Sequence, residues 1–256
     1  MSKVLVTGGA GFIGSHLCDR LLKEGYEVIC LDNFNDFYDP KIKEDNISDA
    51  LKHENFTLIR GDILDKELLD NIFRKYDIDK IVHLAAIAGV RSSLVAPTEY
   101  VEVDIKGTVN LLEVAKKYKI EQFIFGSSSS VYGVNSKIPF SEEDRVDLQV
   151  SPYATAKRSG ELYCATYHHL YGIPMTILRF FTVYGPRQRP DMAIHKFTRL
   201  MRQGKPIPVY GYGESKRDYT YISDAVEGIV KSMERIYDFE IFNIGSSKTV
   251  KLQELI

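Results

Sequence analysis

The chain has 256 residues, 44% of them hydrophobic and 27% charged, which is enough apolar side chain for a full core and rules out disorder, collagen and coiled coil. Lys and Arg total 33 against 35 Asp and Glu, a net charge of −2, so no global positive field recruits nucleic acid or an anionic membrane. The longest apolar stretches, such as Ile81–Leu84 and on to Ala88, fall far short of the roughly 18 residues that a spanning helix needs. A soluble chain with neither a nucleic-acid nor a membrane partner is expected.

A strand pattern begins directly after Met1, Ser2 and Lys3, which leaves no room for a secretory leader and predicts a cytoplasmic protein. Short runs rich in Val, Ile and Leu recur at 4–7, 27–31, 57–60, 80–84, 123–127 and 175–179. Helical periodicity covers 12–24, 40–52, 65–76, 99–118 and 152–171 between and after them. That alternation is the mark of a parallel sheet with helices on both faces. Helix 152–171 has a defined start: Ser151 suits the capping position and Pro152 the first turn, which puts Tyr153 in that turn. After Arg179 the rhythm changes to loops, short strands and helices at 192–203 and 223–235, with Gly204, Pro206, Pro208, Gly211 and Gly213 among them.

These elements predict an α/β, Rossmann-type doubly wound parallel sheet over residues 1–179. A smaller C-terminal substrate-binding lobe is expected over 180–256, with some of its segments returning to the main sheet. Residues 249–256 read as the opening of a helix that is marginal alone, and the chain is expected to be a shortened form. Cys18, Cys30 and Cys164 are odd in number, widely spaced and never arranged CxxC, so neither a disulfide frame nor a metal site is expected.

The segment TGGAGFIG places Gly8, Gly11 and Gly14 after the first strand and at the opening of a helix. Glycines there allow a tight turn and close approach of backbone to a pyrophosphate, while the helix start offers free N–H groups and a positive dipole end. Asp32 ends the second strand, where a carboxylate accepts hydrogen bonds from a ribose diol and repels a 2′-phosphate. Its neighbour Asn33 supplies no compensating positive charge, so NAD is favoured over NADP. Asp62, in GDIL past the third strand, suits either an adenine amino group or a helix cap.

Tyr and Lys stand four apart at 76 and 80, 153 and 157, and 212 and 216. The first pair spans a helix-to-strand junction and the third lies in a glycine loop. Only Tyr153 and Lys157 share a rigid helix face, and they follow a strand that ends in the hydroxyl cluster Ser127–Ser130. A tyrosine with its ordinary pKa near 10 must be brought down by ~3 units, or ~4 kcal/mol, to act as a base at neutral pH. A lysine ammonium one turn away and a cationic nicotinamide are expected to provide that together. The tyrosinate then takes the proton of a sugar hydroxyl while hydride leaves the same carbon, and a serine hydroxyl orients the group and shares the proton.

TGGAGFIG, Asp32, HLAA (83–86), SSSSVYG (127–133), SPYATAK and RFFTVYGPRQRPDM together resemble the extended short-chain dehydrogenase/reductase family, in particular its nucleotide-sugar epimerases. The resemblance runs from Lys3 to the end. It implies a catalytic set of Ser128, Tyr153 and Lys157, and an NAD site built from Gly8, Gly11, Phe12, Ile13, Gly14, Asp32, Asn33, Asp62, Ile63, Leu84, Ala85, Ala86, Tyr153 and Lys157. For the substrate it implies Arg91, Ser129, Ser130, Thr182, Arg189 and Arg217.

The activity that the resemblance implies is oxidation at C4 of a UDP-sugar, rotation of the 4-keto sugar and return of hydride to its other face. Hexose epimerases of the family carry an asparagine where Thr182 stands, and that departure is similar to UDP-glucuronate 4-epimerases, in which the Thr182 and Arg189 positions lie by the uronate carboxylate. A guanidinium suits such a carboxylate by bidentate pairing. UDP-glucose and UDP-N-acetylglucosamine are the neutral alternatives, and a non-catalytic NAD-binding protein is a further one. Dehydratases of the family carry an Asp-Glu pair where Ser129 and Ser130 stand here, which argues against dehydration. Asp104, in VDIKGT, replaces an asparagine common in relatives. A homodimer through helices 99–118 and 152–171 is the implied assembly. His168 and His169 point apart and are expected to be packing or surface residues, and His83 a hydrogen-bonded core residue beside the cofactor.

Overall fold

The computed structural model describes residues 2–209 and 211–256. Seven parallel strands form the main sheet in the order β3-β2-β1-β4-β5-β6-β9. They are β1 (Lys3–Thr7), β2 (Glu27–Asp32), β3 (Phe56–Arg60), β4 (Lys80–His83), β5 (Gln122–Ser128), β6 (Met175–Phe180) and β9 (Phe239–Ile244). The order reverses between β1 and β4, and in open sheets of this kind the crevice outside the strands' carboxyl ends at such a reversal takes the ligand.

The five inner strands, β2, β1, β4, β5 and β6, are buried on both faces, which is why their sequences read as continuous rather than alternating apolar residues. Val4 and Val6 of β1 join one core layer with α1 (Phe12–Lys23) and α9 (Ile222–Glu234). Leu5 joins the opposite layer with α3 (Lys66–Tyr76), α6 (Gly107–Tyr118) and α7 (Pro152–Tyr171).

The sequence anticipates six of the seven strands. It names no range for β9, whose pairing with β6 starts at Met175 opposite Phe239 and depends on residues far apart in the chain. Two buried side chains bolt α9 beneath this sheet. Lys80 Nζ donates to Met233 O at 2.7 Å and Gln122 Nε2 to Ser232 O at 2.7 Å, so β4 and β5 satisfy carbonyls that the end of α9 leaves open. A small second sheet, β10-β8-β7, is formed by β7 (Thr182–Tyr184), β8 (Lys216–Tyr221) and β10 (Thr249–Lys251).

Three helical expectations are corrected. The predicted helix 40–52 is α2 (Pro40–Asn46) followed by a separate 3-10 turn, Ala50–Lys52. Asn46, the last residue of α2, donates Nδ2 to Ala10 O of the glycine turn, and after it Ser48 Oγ donates to Asp45 O, a local bond that competes with helix continuation. The predicted helix 99–118 begins at α5 (Pro97–Tyr100), after the short α4 (Val90–Val95), and widens into a π-helical stretch, Val101–Lys106, before α6. Residues 249–256 are β10 and a single turn, α10 (Leu252–Leu255), because Thr249–Lys251 find partners on β8.

Behind the carboxyl end of β5 lies a buried ion pair. Arg179 of β6 donates to Glu161 of α7 through Nε and Nη2, both at 2.9 Å, and each side chain is 1% exposed. Ser127 Oγ and Arg158 Nη1 complete the carboxylate, at 2.6 and 3.0 Å. Arg179 Nη1 also donates to the Tyr132 hydroxyl, which donates to Asn243 of β9 at 2.6 Å. Glu161→Ala strands the Arg179 charge in the core and is expected to cost about 3–5 kcal/mol in a urea unfolding series. Joint replacement of Glu161 and Arg179 by Leu and Met is expected to cost less than the single change; a larger cost would show that the pair's attraction exceeds its desolvation.

Candidate active site

A cleft of about 280 Å³ opens at the carboxyl edge of the sheet, at the reversal between β1 and β4. Its wall includes Gly8, Gly11, Phe12, Ile13, Gly14, Asp32, Asn33, Asp62, Ile63, Leu84, Ala85, Ala86, Ser128, Tyr153, Lys157 and Arg189. The structure therefore gathers every residue of the expected cofactor set and of the expected catalytic set into one cavity. Of the expected substrate residues it brings only Arg189 to that wall.

The glycine turn is fixed by contacts that no side chain fits. Gly8 has φ +69°, and a Cβ there would stand 2.8 Å from Ala85 N. A Cβ on Gly14 would meet Gly8 O at 2.2 Å. Gly11 caps α1 without a side-chain bond, so the first turn presents bare backbone to the cleft. Asp32 is buried, accepting from Ala10 N at 3.1 Å and Phe34 N at 2.8 Å, with Lys43 Nζ at 3.5 Å. A cradle without side chains at the helix start, with a carboxylate at the end of β2, fits a dinucleotide whose ribose is a free diol. Asp62 caps neither helix nor strand: its carboxylate accepts from Asn33 Nδ2 at 2.8 Å and Leu64 N at 2.9 Å, while Asp65 caps α3.

Tyr153 and Lys157 stand one turn apart at the start of α7, where Ser151 Oγ accepts from Ala154 N at 3.1 Å. Lys157 Nζ donates to Gly126 O at 2.9 Å, and burial pulls its pKa down. Tyr153 packs edge-on against Tyr100 at 6.1 Å. Burial pushes the Tyr153 phenol up to about 12, with Ser128 and the charge of Arg189 acting the other way. The sequence expects depression by Lys157 and a cationic nicotinamide together; the chain's own groups alone leave the phenol raised, because desolvation outweighs the positive partners they offer. Ser128, at the end of β5, accepts from Ser130 N at 3.2 Å and Ser130 Oγ at 3.0 Å.

Behind the wall runs a buried hydrogen-bond chain. Thr108 Oγ1 donates to Asp104 O at 2.6 Å, so it must accept from His83 Nε2, at 3.0 Å. His83 Nδ1 is then the acceptor for Thr7 Oγ1 at 2.8 Å, and Thr7 Oγ1 accepts from Ala85 N at 3.2 Å. Burial, with Lys157 nearby, takes His83 down to about 3, so the ring stays neutral in this tautomer. His83 is a hydrogen-bonded core residue, as expected.

The remaining expectations are placed outside the cleft. Ser129 and Ser130 lie in a 3-10 turn, Ser129–Tyr132. Thr182 begins β7 beside cleft-lining Phe181 and Val183 without reaching the wall itself. Arg91 is exposed on α4. Arg217 is exposed on β8, where Nη1 donates to Lys216 O at 2.9 Å. Arg189 faces the cleft, yet the fork that was offered to a substrate carboxylate is engaged: Nε and Nη2 donate to the two oxygens of Asp191 at 3.0 and 2.8 Å, and Nη2 to Ala88 O at 3.2 Å. Although burial pushes Asp191 up, this pairing brings its pKa below the usual carboxylate range.

Sequence reasoning missed Asp191, Lys43, Phe37 and Tyr38 at this site. Phe37, Tyr38 and Lys43 line the cleft, and the Lys43 ammonium lies 5.3 Å from the Tyr38 ring. The aromatic pair in NDFYDP is the one signal that pointed to them.

A model described as the NAD dependent epimerase/dehydratase family matches residues 4–245, and the chain belongs to that family. An uncharacterized protein of Methanocaldococcus jannaschii is 51% identical, over 99% of this chain and 78% of its own length. The UDP-glucuronate 4-epimerase of Thermodesulfobacterium geofontis is 43% identical, over 100% of this chain and 79% of its own length. The crystal structure of UDP-glucuronic acid 4-epimerase from Bacillus cereus, in complex with UDP-glucuronic acid and NAD, is similar with a TM-score of 0.91 at 43% identity. That match covers 98% of this chain and 80% of that one.

Asp32 is expected to discriminate between dinucleotides: NAD raises the melting temperature of the protein while NADP at the same concentration leaves it within a degree or so. Equal shifts with both would count against a carboxylate barrier at the ribose.

Proposed function

We propose that this chain is an NAD-dependent 4-epimerase of UDP-sugars, converting UDP-glucuronate to UDP-galacturonate through a 4-keto sugar. The observation that carries the reading is the single cleft that holds Ser128, Tyr153, Lys157 and the glycine turn, in a chain 43% identical to named UDP-glucuronate 4-epimerases over nearly its whole length.

When bound, NAD supplies a positively charged ring that accepts hydride and favours a phenolate beside it. Tyr153 takes the proton of the C4 hydroxyl as C4 becomes a ketone, and Ser128 hydrogen-bonds the oxygen on which charge changes. The keto sugar turns over in the cleft, and Tyr153 returns the proton as C4 is reduced from the opposite face. Lys157 holds its ammonium one turn below, supporting both the phenolate and the cofactor ribose. The glycine turn takes the pyrophosphate, Asp32 the adenosine ribose, and Asn33, Asp62 and Ile63 the adenine side of the cleft. Residues 1–179 carry this cofactor site. Residues 180–256 make the substrate side, although α9 and β9 within them are built into the layers of the main sheet. Arg189 presents its positive charge to the sugar end, braced by Asp191.

Exposed apolar side chains support a homodimer through helices 99–118 and 152–171: Val101 is 53% and Leu162 of α7 51% exposed, and on the adjoining α4 Leu94 and Val95 are 64 and 86% exposed. Three free, buried cysteines suit a reducing compartment, and the cytoplasm is the proposed location. No described helix is long and apolar enough to cross a membrane.

Incubation with NAD and a panel of UDP-sugars, followed by chromatographic separation of the C4 isomers, tests the reading directly. UDP-glucuronate is expected to equilibrate with its C4 isomer faster than UDP-glucose or UDP-N-acetylglucosamine does. Preference for a neutral sugar would overturn the substrate, and release of carbon dioxide the reaction. Tyr153→Phe is expected to lower kcat by about 10²–10⁴-fold with NAD-induced stabilisation retained. Arg189→Ala should weaken UDP-glucuronate turnover at least about tenfold more than turnover of UDP-glucose, as loss of a charged hydrogen bond requires; equal losses would show that Arg189 only braces the loop.

A further inference from the structure

Asp104 is a buried carboxylate that the catalytic reading leaves unused. It lies in the π-helical stretch Val101–Lys106, behind the part of the cleft wall made by Ile87 and Val103, and is 3% exposed. Its Oδ1 accepts from Ile87 N at 2.8 Å, and its Oδ2 has no hydrogen-bond partner. A regular helix at 101–106 would carry this side chain to a different angle; the extra residue per turn is a common device for aiming one group at a site. A structural carboxylate in a core is normally saturated with donors, so an oxygen left bare beside an active site needs a reason.

We propose that Asp104 is a positioning residue for the epimerase reaction, holding the loop after β4 through Ile87 and setting, by its charge, the pH at which Tyr153 and Lys157 reach their working protonation states. The proposal rests on the epimerase reading for its kinetic part only. The charged and titratable groups coupled to Asp104 are Lys157 and Tyr153 on α7 and Tyr100 on α5; Arg189, in the loop after β7, acts on both tyrosines, and His83 on β4 stays neutral. Burial pushes Asp104 up to about 6, against the opposing pull of Lys157 and the Ile87 N–H. Once ionised it raises Lys157 and also raises Tyr153, so it secures the ammonium and resists the phenolate. A carboxyl whose folded pKa lies above its unfolded value near 3.9 gives stability that is present in acid and lost as pH climbs from about 4 through about 6.

Asp104→Asn keeps an acceptor for Ile87 N and abolishes the charge. The expected result is a kcat profile whose rising limb moves toward acid by about half a pH unit or more, because Tyr153 ionises more easily without a neighbouring anion. The same variant is expected to gain melting temperature over the parent at pH 7.5 and to lose that advantage near pH 4. Asp104→Ala, which also frees the Ile87 N–H, should lower kcat across the whole pH range. Coincident limbs for parent and Asn variant would overturn the kinetic role, and melting curves that run parallel at every pH would overturn titration of Asp104. An inactive parent would sink the epimerase reading alone, since the melting comparison needs no turnover.

Discussion

The structure depends on one buried contact, the two-point pairing of Arg179 with Glu161 at the carboxyl end of the sheet. A charge with 1% exposure survives only if its partner and every remaining donor and acceptor are engaged. Here they are: Ser127 and Arg158 complete the carboxylate, and Tyr132 and the Glu142 carbonyl take the other side of the guanidinium. The pair joins β5, β6, α7 and the turn after β5, and Asn243 extends it to β9. Ser128 is the next residue after Ser127, and Tyr153 and Lys157 lie two turns and one turn before Glu161 on the same helix. Directional bonds in a low-dielectric interior thus fix the angle at which α7 meets the sheet, and that angle fixes the relation of phenol, ammonium and serine hydroxyl. Apolar packing of equal area would hold the layers together without choosing that angle.

The same logic governs the cofactor side, by exclusion rather than attraction. Backbone atoms of β1, α1 and the loop after β4 approach so closely around Gly8 and Gly14 that no Cβ enters. The loop after β4 is held to this turn from beneath by Thr7 and from the far side by Asp104 through Ile87. Its residues Leu84 and Ala85 consequently pack directly against the glycine turn at Gly8. A flat dinucleotide site is the consequence of three close backbone contacts, each of which needs a small residue or an inward hydrogen bond.

What the sequence reveals about this site follows from the range of the interactions involved. Glycine spacing, the Ser151–Pro152 helix start and the Tyr153–Lys157 spacing act over a few residues, and all of them place their groups in the cleft. Features set by contacts distant in sequence stay hidden. The pairing of β9 with β6 spans about 64 residues, and nothing local marks Phe239–Ile244 as the seventh strand at the edge of the sheet. Lys43 is an ordinary polar residue by helical pattern and is inward-facing only because Asp32 lies beside it. Arg189 meets Asp191 two residues on, a side-chain pairing that its sequence does not dictate. Thr182 and Arg217 were assigned by motif position, and both belong to the small sheet, whose strands turn them away from the wall.

A last consequence concerns what holds the site inactive before its ligands arrive. Four ionisable groups at its centre are displaced toward their uncharged forms, the Tyr153 phenol and the Asp104 carboxyl upward and the Lys157 ammonium and the His83 ring downward, whereas Arg189 and Asp191 hold each other charged. Burial is the first cause in all four, so the cleft is a region where charge is costly and few internal partners offset it. A group in such a region responds strongly to any charge brought in, because the same low dielectric that penalises it also amplifies the incoming field. A positively charged ring set beside Tyr153 therefore does more to release its proton than the same charge would at a solvated phenol. Proton abstraction is thereby tied to occupancy, and a sugar hydroxyl meets a competent base only in a cleft whose cofactor is already seated.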